Sequence, residues 1–514
     1  MIGDCCGRLM KCERLSVGLL VAAVSLTGCS SDSASNTENS GGSAGTGVGG
    51  SAGSSGSGSA GSGNTGGSGS TGGTASPGGA GGNGGGSAGV SQWAPQAWED
   101  CEANSRAVSA GPTNYREAVD SLMPGDVLTL DAGNYDRGLP IRASGTPGRC
   151  IVIQGSASGG TRITGSDAFN LVALYGASYI KIRNLVLMGD GKAGFGVASQ
   201  GTETVHHILV ENLDLSGFDA DQQIVGISTK TPAHNWVIRG NRIAGAGTGL
   251  YLGNSDGSLP FYAGVIEFNS VSSTLGYSMQ IKHQLSRPSD VPDGAETLIR
   301  YNVFSKGSES SSGGNARPNL LLGHQPLSGS GSGDRFVVYS NFLYDNPTEM
   351  LFQAEGNLVV FNNLFVNPSG GGVNIQPHNA TPRQVDVFFN TIVTNGVGLR
   401  ISGGDSAFTQ QAFGNASFGP QPFSVGTAQD NVEGTLAEAA QVFVGANTLD
   451  LSTLDLHPQG NALVGASIPT SAMPSGVDAS HDFDEVTRDF TRRGAYAGAP
   501  PSGAWKPSLE PRSY

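Results

Sequence analysis

Between residues 178 and 395 the chain repeats one short pattern of apolar and polar positions. Apolar residues alternate with polar ones up to an asparagine and resume after it: "IKIRNLVL", "ILVENLDL", "WVIRGNRIAG", "GVIEFNSVS", "LIRYNVFS", "VVYSNFLY", "VVFNNLFV" and "VFFNTIVT". The asparagines are Asn184, Asn212, Asn241, Asn269, Asn302, Asn341, Asn363 and Asn390, spaced 28, 29, 28, 33, 39, 22 and 27 residues apart. A period in this range predicts stacked units. Alternation over short runs bounded by Gly, Ser and Asn predicts strands. The 22-residue unit is too short for a four-stranded propeller blade and long enough for a coil of about three short strands. The expectation is an all-β solenoid whose coils pair through parallel strands about 4.8 Å apart. The recurrent asparagine would stack at one corner, and insertions at one corner would lengthen the longer units.

A second row of strands precedes the asparagine phrases: "GISTKT" (226–231), "GLYLGN" (249–254), "SMQIKH" (278–283), "NLLLGH" (319–324), "MLFQAE" (350–355) and "GVNIQPH" (372–378). Side chains alternate across a strand. Ile227, Leu250, Leu252, Met279, Ile281, Leu320, Leu322, Phe352, Val373 and Ile375 therefore form a core set. The outward set runs Ser228 and Lys230, Tyr251, Gln280 and Lys282, Leu321, Gln353 and Glu355, then Gln376 and His378. This polar, partly basic column is the candidate substrate-binding surface: Lys230, Tyr251, Gln280, Gln353, Glu355, Gln376 and His378.

Upstream, "PTNYREAVDSL" predicts a short amphipathic helix with Asn114 and Glu117 as N-cap and N3, covering an otherwise unpaired solenoid end. "GDVLTLDAGNYDRGLPIRASGTPGRCIVIQG" followed by "RITGS" resembles the opening coils of right-handed parallel β-helix proteins, the pectate-lyase-like superfamily. "HDFDEVTRDFTRRGAYAGA" resembles the Asp…Thr-Arg…Gly-Ala-Tyr ending common in them. The resemblance implies a right-handed parallel β-helix with a short N-terminal capping helix. It implies no chemistry, because the architecture hosts lyases, hydrolases and inert adhesins alike.

Around the second row, "YSMQIKHQ" with "TLIRYNVFSKG", then "RPNLLLGHQ" with "VVYSNFLYDN", resemble the central coils of alginate-lyase and chondroitinase-B-like polysaccharide lyases. There a lysine abstracts the proton α to a uronate carboxylate, and an arginine in an Arg-His-Gly phrase serves as acid. The resemblance maps Lys282 onto the base and His324 onto the histidine. The arginine position is Gly323, a departure for which Arg317 is the nearby substitute. Such a base must be largely neutral. The substrate carboxylate needs neutralising by Ca²⁺ or arginine, and Asp290, Asp293, Glu296 and Glu309 are the acidic loop residues that could hold Ca²⁺, although solvated loop charges describe them as well. The paired-aspartate phrases of pectin-type hydrolases are absent. "SGFDADQQ" (216–223) and "GSGSGD" (329–334) read as loops, His206 and His207 as a turn pair, and His283 and His324 as a stacked corner pair. No metal-ligand spacing appears.

Composition adds location. Arg8, Lys11 and Arg14 precede an apolar stretch over residues 15–26, too short to span a bilayer and typical of a secretory signal. Leu26-Thr27-Gly28-Cys29 resembles the lipobox of bacterial lipoproteins, which implies lipidation of Cys29 and, with Ser30 following, an outer-membrane lipoprotein facing the periplasm or the surface. The Gly/Ser-rich block after it is a flexible tether. The expected divisions are 1–28 signal, 29–92 lipidated cysteine and tether, 93–430 β-helix, and 431–514 C-terminal coils and cap. The chain carries 28 Lys and Arg against 42 Asp and Glu, a formal charge of −14, which argues against a nucleic-acid partner. Once the signal is removed and Cys29 lipidated, only Cys101 and Cys150 remain, and two cysteines in an exported chain predict one disulfide. Two functions stay open: β-eliminative cleavage of a uronate polysaccharide, and non-catalytic glycan binding or adhesion. In both the partner is a polysaccharide, and the membrane is reached through the lipid alone.

Overall fold

The computed structural model describes residues 98–102 and 105–513; the signal segment, Cys29 and the whole tether lie outside them. The described chain winds through three parallel sheets of 14, 12 and 11 strands. A typical coil passes from the 14-stranded sheet (Ser178–Arg183) to the 12-stranded one (Val186–Met188), then to the 11-stranded one (Val197–Gln200), and returns at Val205–Glu211. Alternation supplies the core. Ile227, Leu250, Leu252, Met279, Ile281, Leu320, Leu322, Phe352, Val373 and Ile375 are all completely buried, in one apolar cluster that runs through the coils.

The corner between the 14- and 12-stranded sheets is built from two consecutive residues. The first is left-handed: Asn184, Asn212, Phe268, Tyr301, Ser340, Asn362 and Phe389 all have φ between 52° and 58°. The second bears the ladder. Asn241 Nδ2 donates to Asn269 Oδ1, and the same bond repeats through Asn302, Asn341, Asn363, Asn390, Asn415 and Asn431 at 2.9–3.0 Å. Asn184 and Asn212 therefore stand one position before the ladder, whose place in those coils is taken by Leu185 and Leu213. Asparagine suits either position, because it tolerates the left-handed region. At the corner entering the 11-stranded sheet, Asn346 Nδ2 donates to Asn319 Oδ1 and the Asn346 amide to Asn367 Oδ1, a second short ladder not expected from sequence. Long insertions occur at two corners rather than one: residues 283–295 and 323–334 leave the 11-stranded sheet, and residues 306–319 enter it.

Helix α1 (Tyr115–Asp120) closes the first coils, with Tyr115 and Val119 buried. Its expected cap is not formed. The Asn114 side chain instead accepts the Gly111 amide at 2.9 Å, tightening the turn before the helix. Cys101 and Cys150 are joined in a disulfide. It pins a strap at residues 98–102, where Lys181 and Arg183 pair with Glu102, and Arg239 with Glu99.

The last parallel strand is Val432–Gly434. Helix α2 (Leu436–Val442) follows, with a complete Thr435–Glu438 capping box, and the remaining chain doubles back along the outside of the coils. Phe443, Leu456, Phe483 and Tyr496 cover an outward apolar row of the 12-stranded sheet that includes Val303, Phe342 and Leu364. Ile468 and Ala479 join an outward cluster on the 14-stranded sheet that includes Val337, Val359 and Phe388. The Asp…Thr-Arg…Gly-Ala-Tyr phrase is the clasp of this return. Asp482 accepts the Asp484, Val486 and Ala497 amides, and the buried Arg488 donates to Asn362 Oδ1 and the Gly494 and Ala495 carbonyls.

Candidate functional site

The outer face of the 11-stranded sheet carries the predicted column, arranged in two rows. Cross-strand pairing sets the first as Ser228, Tyr251, Gln280, Leu321, Gln353, Asn374, Arg400 and Ser424. The second, one residue past the paired core positions, runs Lys230, Gly253, Lys282, Gly323, Glu355 and Gln376.

Lys230 is exposed; its ammonium lies 4.9 Å from the Phe195 ring centre and 5.1 Å from that of Tyr251. Beneath it Ser228 is wholly buried. Gln280 is also buried, and its Oε1 has no hydrogen-bond partner among the described residues. Gln353 and Lys282 are half-buried. Lys282 has glycine on both sides in its row, and a β-carbon on Gly253 would lie 3.5 Å from that of Lys282. A ligand laid along the coils thus meets no side chain beside Lys282 in that row.

Glu355 differs from the expectation of a groove-lining group. It is 3% exposed, and its carboxylate accepts the His378, Asn379 and Ala380 amides and the Asn379 side chain. It holds the corner beyond the sheet. Gln376 and His378 are exposed at that corner, and neither belongs to the row of Gln353. Asn374 and Arg400 occupy that row, and sequence reasoning missed both. Alternation within "GVNIQ" and "VGLRI" contains the signal, since Asn374 lies between the core residues Val373 and Ile375, and Arg400 between Leu399 and Ile401.

The lyase constellation is only partly assembled. His324 is buried, its Nδ1 donating to the Gln325 carbonyl at 2.7 Å, and its ring centre lies 5.4 Å from that of His283. Burial holds the His283 imidazole below its ordinary range, with His324 and Lys282 adding to the effect. No side chain fits at the arginine position, because Gly323 packs against the His283 backbone. Arg317 donates to the Gly314 and Ala316 carbonyls of its own loop and lies 5.9 Å over the Tyr277 ring. A lysine with its pKa brought down to about 7 by burial and by Arg317 does exist nearby: Lys306, whose Nζ donates to the Arg317 carbonyl. It is 4% exposed and anchors the inserted loop. Its position right after the buried strand Val303–Ser305 was the available signal.

The four acidic loop residues are dispersed. Asp290 accepts from Tyr262 Oη, Asp293 from the Gly331 and Gly333 amides, and Glu296 pairs with Arg335, while Glu309 meets Ser308. Among the described residues no group of three or more His, Cys, Asp and Glu side chains is arranged to hold a metal ion. "GSGSGD" ends not in a loose loop but in Asp334, buried and bidentate to the wholly buried Arg287 side chain. His206 and His207 are part of a ring stack with Trp98, Tyr179, His234 and Tyr262 on the 14-stranded sheet. Among the described residues no helix is long and apolar enough to cross a membrane.

Comparison with known proteins agrees with this topology. Residues 225–413 match the family model described as "Right handed beta helix region". The chain folds as a right-handed parallel β-helix. No curated protein matches it. Among solved structures it is similar to a GH136 lacto-N-biosidase from Eubacterium ramulus (14% identity, 64% of this chain and 67% of that one, TM-score 0.44). It is also similar to pectate lyase Pel9A (14%, 80% and 98%, TM-score 0.42). An alginate lyase from Paenibacillus sp. str. FPU-7 matches as well (14%, 64% and 98%, TM-score 0.31).

Proposed function

We propose that this protein is a lipid-anchored β-helix of the bacterial outer membrane that holds an acidic polysaccharide along the outer face of its 11-stranded sheet. The observation that carries the reading is the placement of Lys230, Lys282 and Arg400 on one face of a chain whose net charge is −14. A polyanion is attracted to a basic stripe and repelled by an acidic surface elsewhere. Lys230 over Tyr251 and Phe195 pairs a cation with apolar rings, a combination that meets both the carboxylates and the C–H faces of a uronate chain. Adjacent rungs about 4.8 Å apart let one polymer touch several coils.

The second reading is β-elimination with Lys282 as base. The glycines flanking Lys282 favour it, since they leave room for a sugar to approach. Against it stands the empty arginine position at Gly323.

The full chain, in a non-sugar detergent, is run through native gels containing alginate, pectate or chondroitin. Retardation by at least one polymer is expected, weakened by Lys282→Ala and further by Arg400→Ala. Unchanged mobility in all three would refute the binding reading. Absorbance of an unsaturated uronate, followed with and without Ca²⁺, tests elimination separately. Anchoring is tested by Cys29→Ser, which should release the protein from membranes.

A further inference from the structure

Beyond Lys181 and Leu209, a row of outward residues on the 14-stranded sheet is apolar for five further coils and then stops being so. It runs Val237, Val265, Leu298, Val337 and Val359, then Asp386 and Gln411. The returning C-terminal segment packs on Val265, Leu298, Val337 and Val359. At Asp386 it leaves a cavity of about 450 Å³, within the size range of small-molecule sites. Asp386 is 3% exposed, and among the described residues no cation pairs with it. Its two oxygens accept one N–H each, from Gln384 Nε2 at 2.8 Å and Gln411 Nε2 at 2.7 Å. Phe408 and Met473 supply apolar walls. Arg335 closes one side, its charge taken up by Glu296 and one N–H by the Ser475 carbonyl, which ties the returning segment over the cavity.

A buried carboxylate is costly unless its lone pairs find donors, and an apolar residue here would simply have continued the row. We infer that this cavity is a second binding site, separate from the 11-stranded face, and that it takes one unit of a neutral sugar. The choice of ligand follows from the lining. A carboxylate oxygen has acceptor capacity beyond one N–H, and each glutamine amide carries a second N–H and an acceptor oxygen. Such a mixed set matches hydroxyl groups, which both donate and accept. An ammonium, a donor only, leaves the amide N–H groups unmatched, and a uronate carboxylate is repelled by Asp386. Phe408, with the Arg383 guanidinium 4.3 Å over one face of its ring, has its other face for the C–H side of a sugar ring.

The test uses the full chain in a non-sugar detergent, titrated with the methyl glycosides of glucose, galactose, mannose and N-acetylglucosamine, and with glucosamine and glucuronate, by saturation-transfer NMR. Saturable binding of at least one neutral glycoside is expected, unaffected by excess pectate. Asp386→Asn should weaken it about ten- to hundredfold, the range for losing a hydrogen bond to a charged group. Phe408→Ala, on a loop, should weaken it without changing the circular dichroism, and it carries the test if the Asp386 variant fails to fold. No neutral glycoside binding, binding of glucosamine alone, or binding indifferent to Phe408→Ala would each overturn the assignment.

Discussion

Gly323 lies so close to His283 that a β-carbon on it would fall 2.3 Å from the His283 backbone nitrogen. The neighbouring atoms are backbone, so no side-chain rotation relieves the contact. Gly323→Ala should destabilise the fold by roughly 1–3 kcal/mol, as overpacking does, read as a lower midpoint in urea unfolding. Gly323→Arg, which restores the arginine of the lyase phrase, should be less stable still and yield no unsaturated uronate. A stable, active Gly323→Arg protein would contradict this packing.

The one-residue offset in the asparagine corner separates two kinds of asparagine. Asn341 donates to Asn363 Oδ1 and to the Ile299 and Tyr339 carbonyls, and accepts from the Asn302 amide and side chain. Asn341→Ala strips buried partners on two neighbouring coils and should cost on the order of 3 kcal/mol. Asn184 has φ 58°, a conformation glycine adopts freely, so Asn184→Gly should change stability by less than about 1 kcal/mol. Equal effects in urea unfolding would mean the ladder begins at Asn184 after all.

Burial holds the imidazoles of His206 and His207 down to about 4, each helped by neighbouring histidines. The groups facing them are His234, Tyr179, Trp98 and, beyond His234, Tyr262 and Asp290; of these Asp290 favours the charged form of His206. In the unfolded chain a histidine titrates near 6.5. Between about 6.5 and 4 the unfolded state binds more protons, so stability falls as the pH falls through that window and levels off below it. Replacing both residues with glutamine should flatten the difference between urea midpoints at pH 7.5 and pH 4.5. A difference as steep as in the parent would rule this out.

The Cys101–Cys150 link closes a loop of 49 residues. In the chain-entropy model that constraint contributes about 4 kcal/mol. Cys101→Ser with Cys150→Ser should lower the melting temperature and expose the strap at residues 98–102 to protease, since noncovalent contacts alone would then hold it: the Glu99 and Glu102 ion pairs, the Trp98 rings, and hydrogen bonds to the Glu99 and Cys101 carbonyls. Free-thiol titration of the unreduced, unfolded parent should find neither of these cysteines reactive.

Sequence periodicity carried the three-sheet winding, because inward residues such as Ile281 and Leu322 alternate strictly and a solenoid repeats each decision in every coil. It carried the corners less well. Asparagine serves both the left-handed position and the ladder position, so Asn184 and Asn212 matched the phrase while standing one residue early. The site was legible wherever a side chain's direction follows from strand alternation, as for Tyr251, Gln280 and Lys282. It was not legible where an inserted loop folds back. Glu355 is taken up by the turn at residues 378–380, Arg287 finds Asp334 across 47 positions, and both pairings depend on loop closures that no local pattern encodes. Asp386 could have been noticed as the first acidic residue in an outward row that is apolar over the preceding coils, but only once the register of that row was known.

The returning C-terminal segment has a consequence for biogenesis. A solenoid can wind coil by coil as its chain emerges, each turn templating the next. Here the outward residues Val303, Phe342 and Leu364 wait for Phe483 and Tyr496, which come more than a hundred positions later. Until those arrive, a nearly finished barrel carries a greasy flank, the kind of surface that aggregates. The final segment therefore acts as a completion seal: a molecule cut short near residue 435 would have all its coils and still be unfinished.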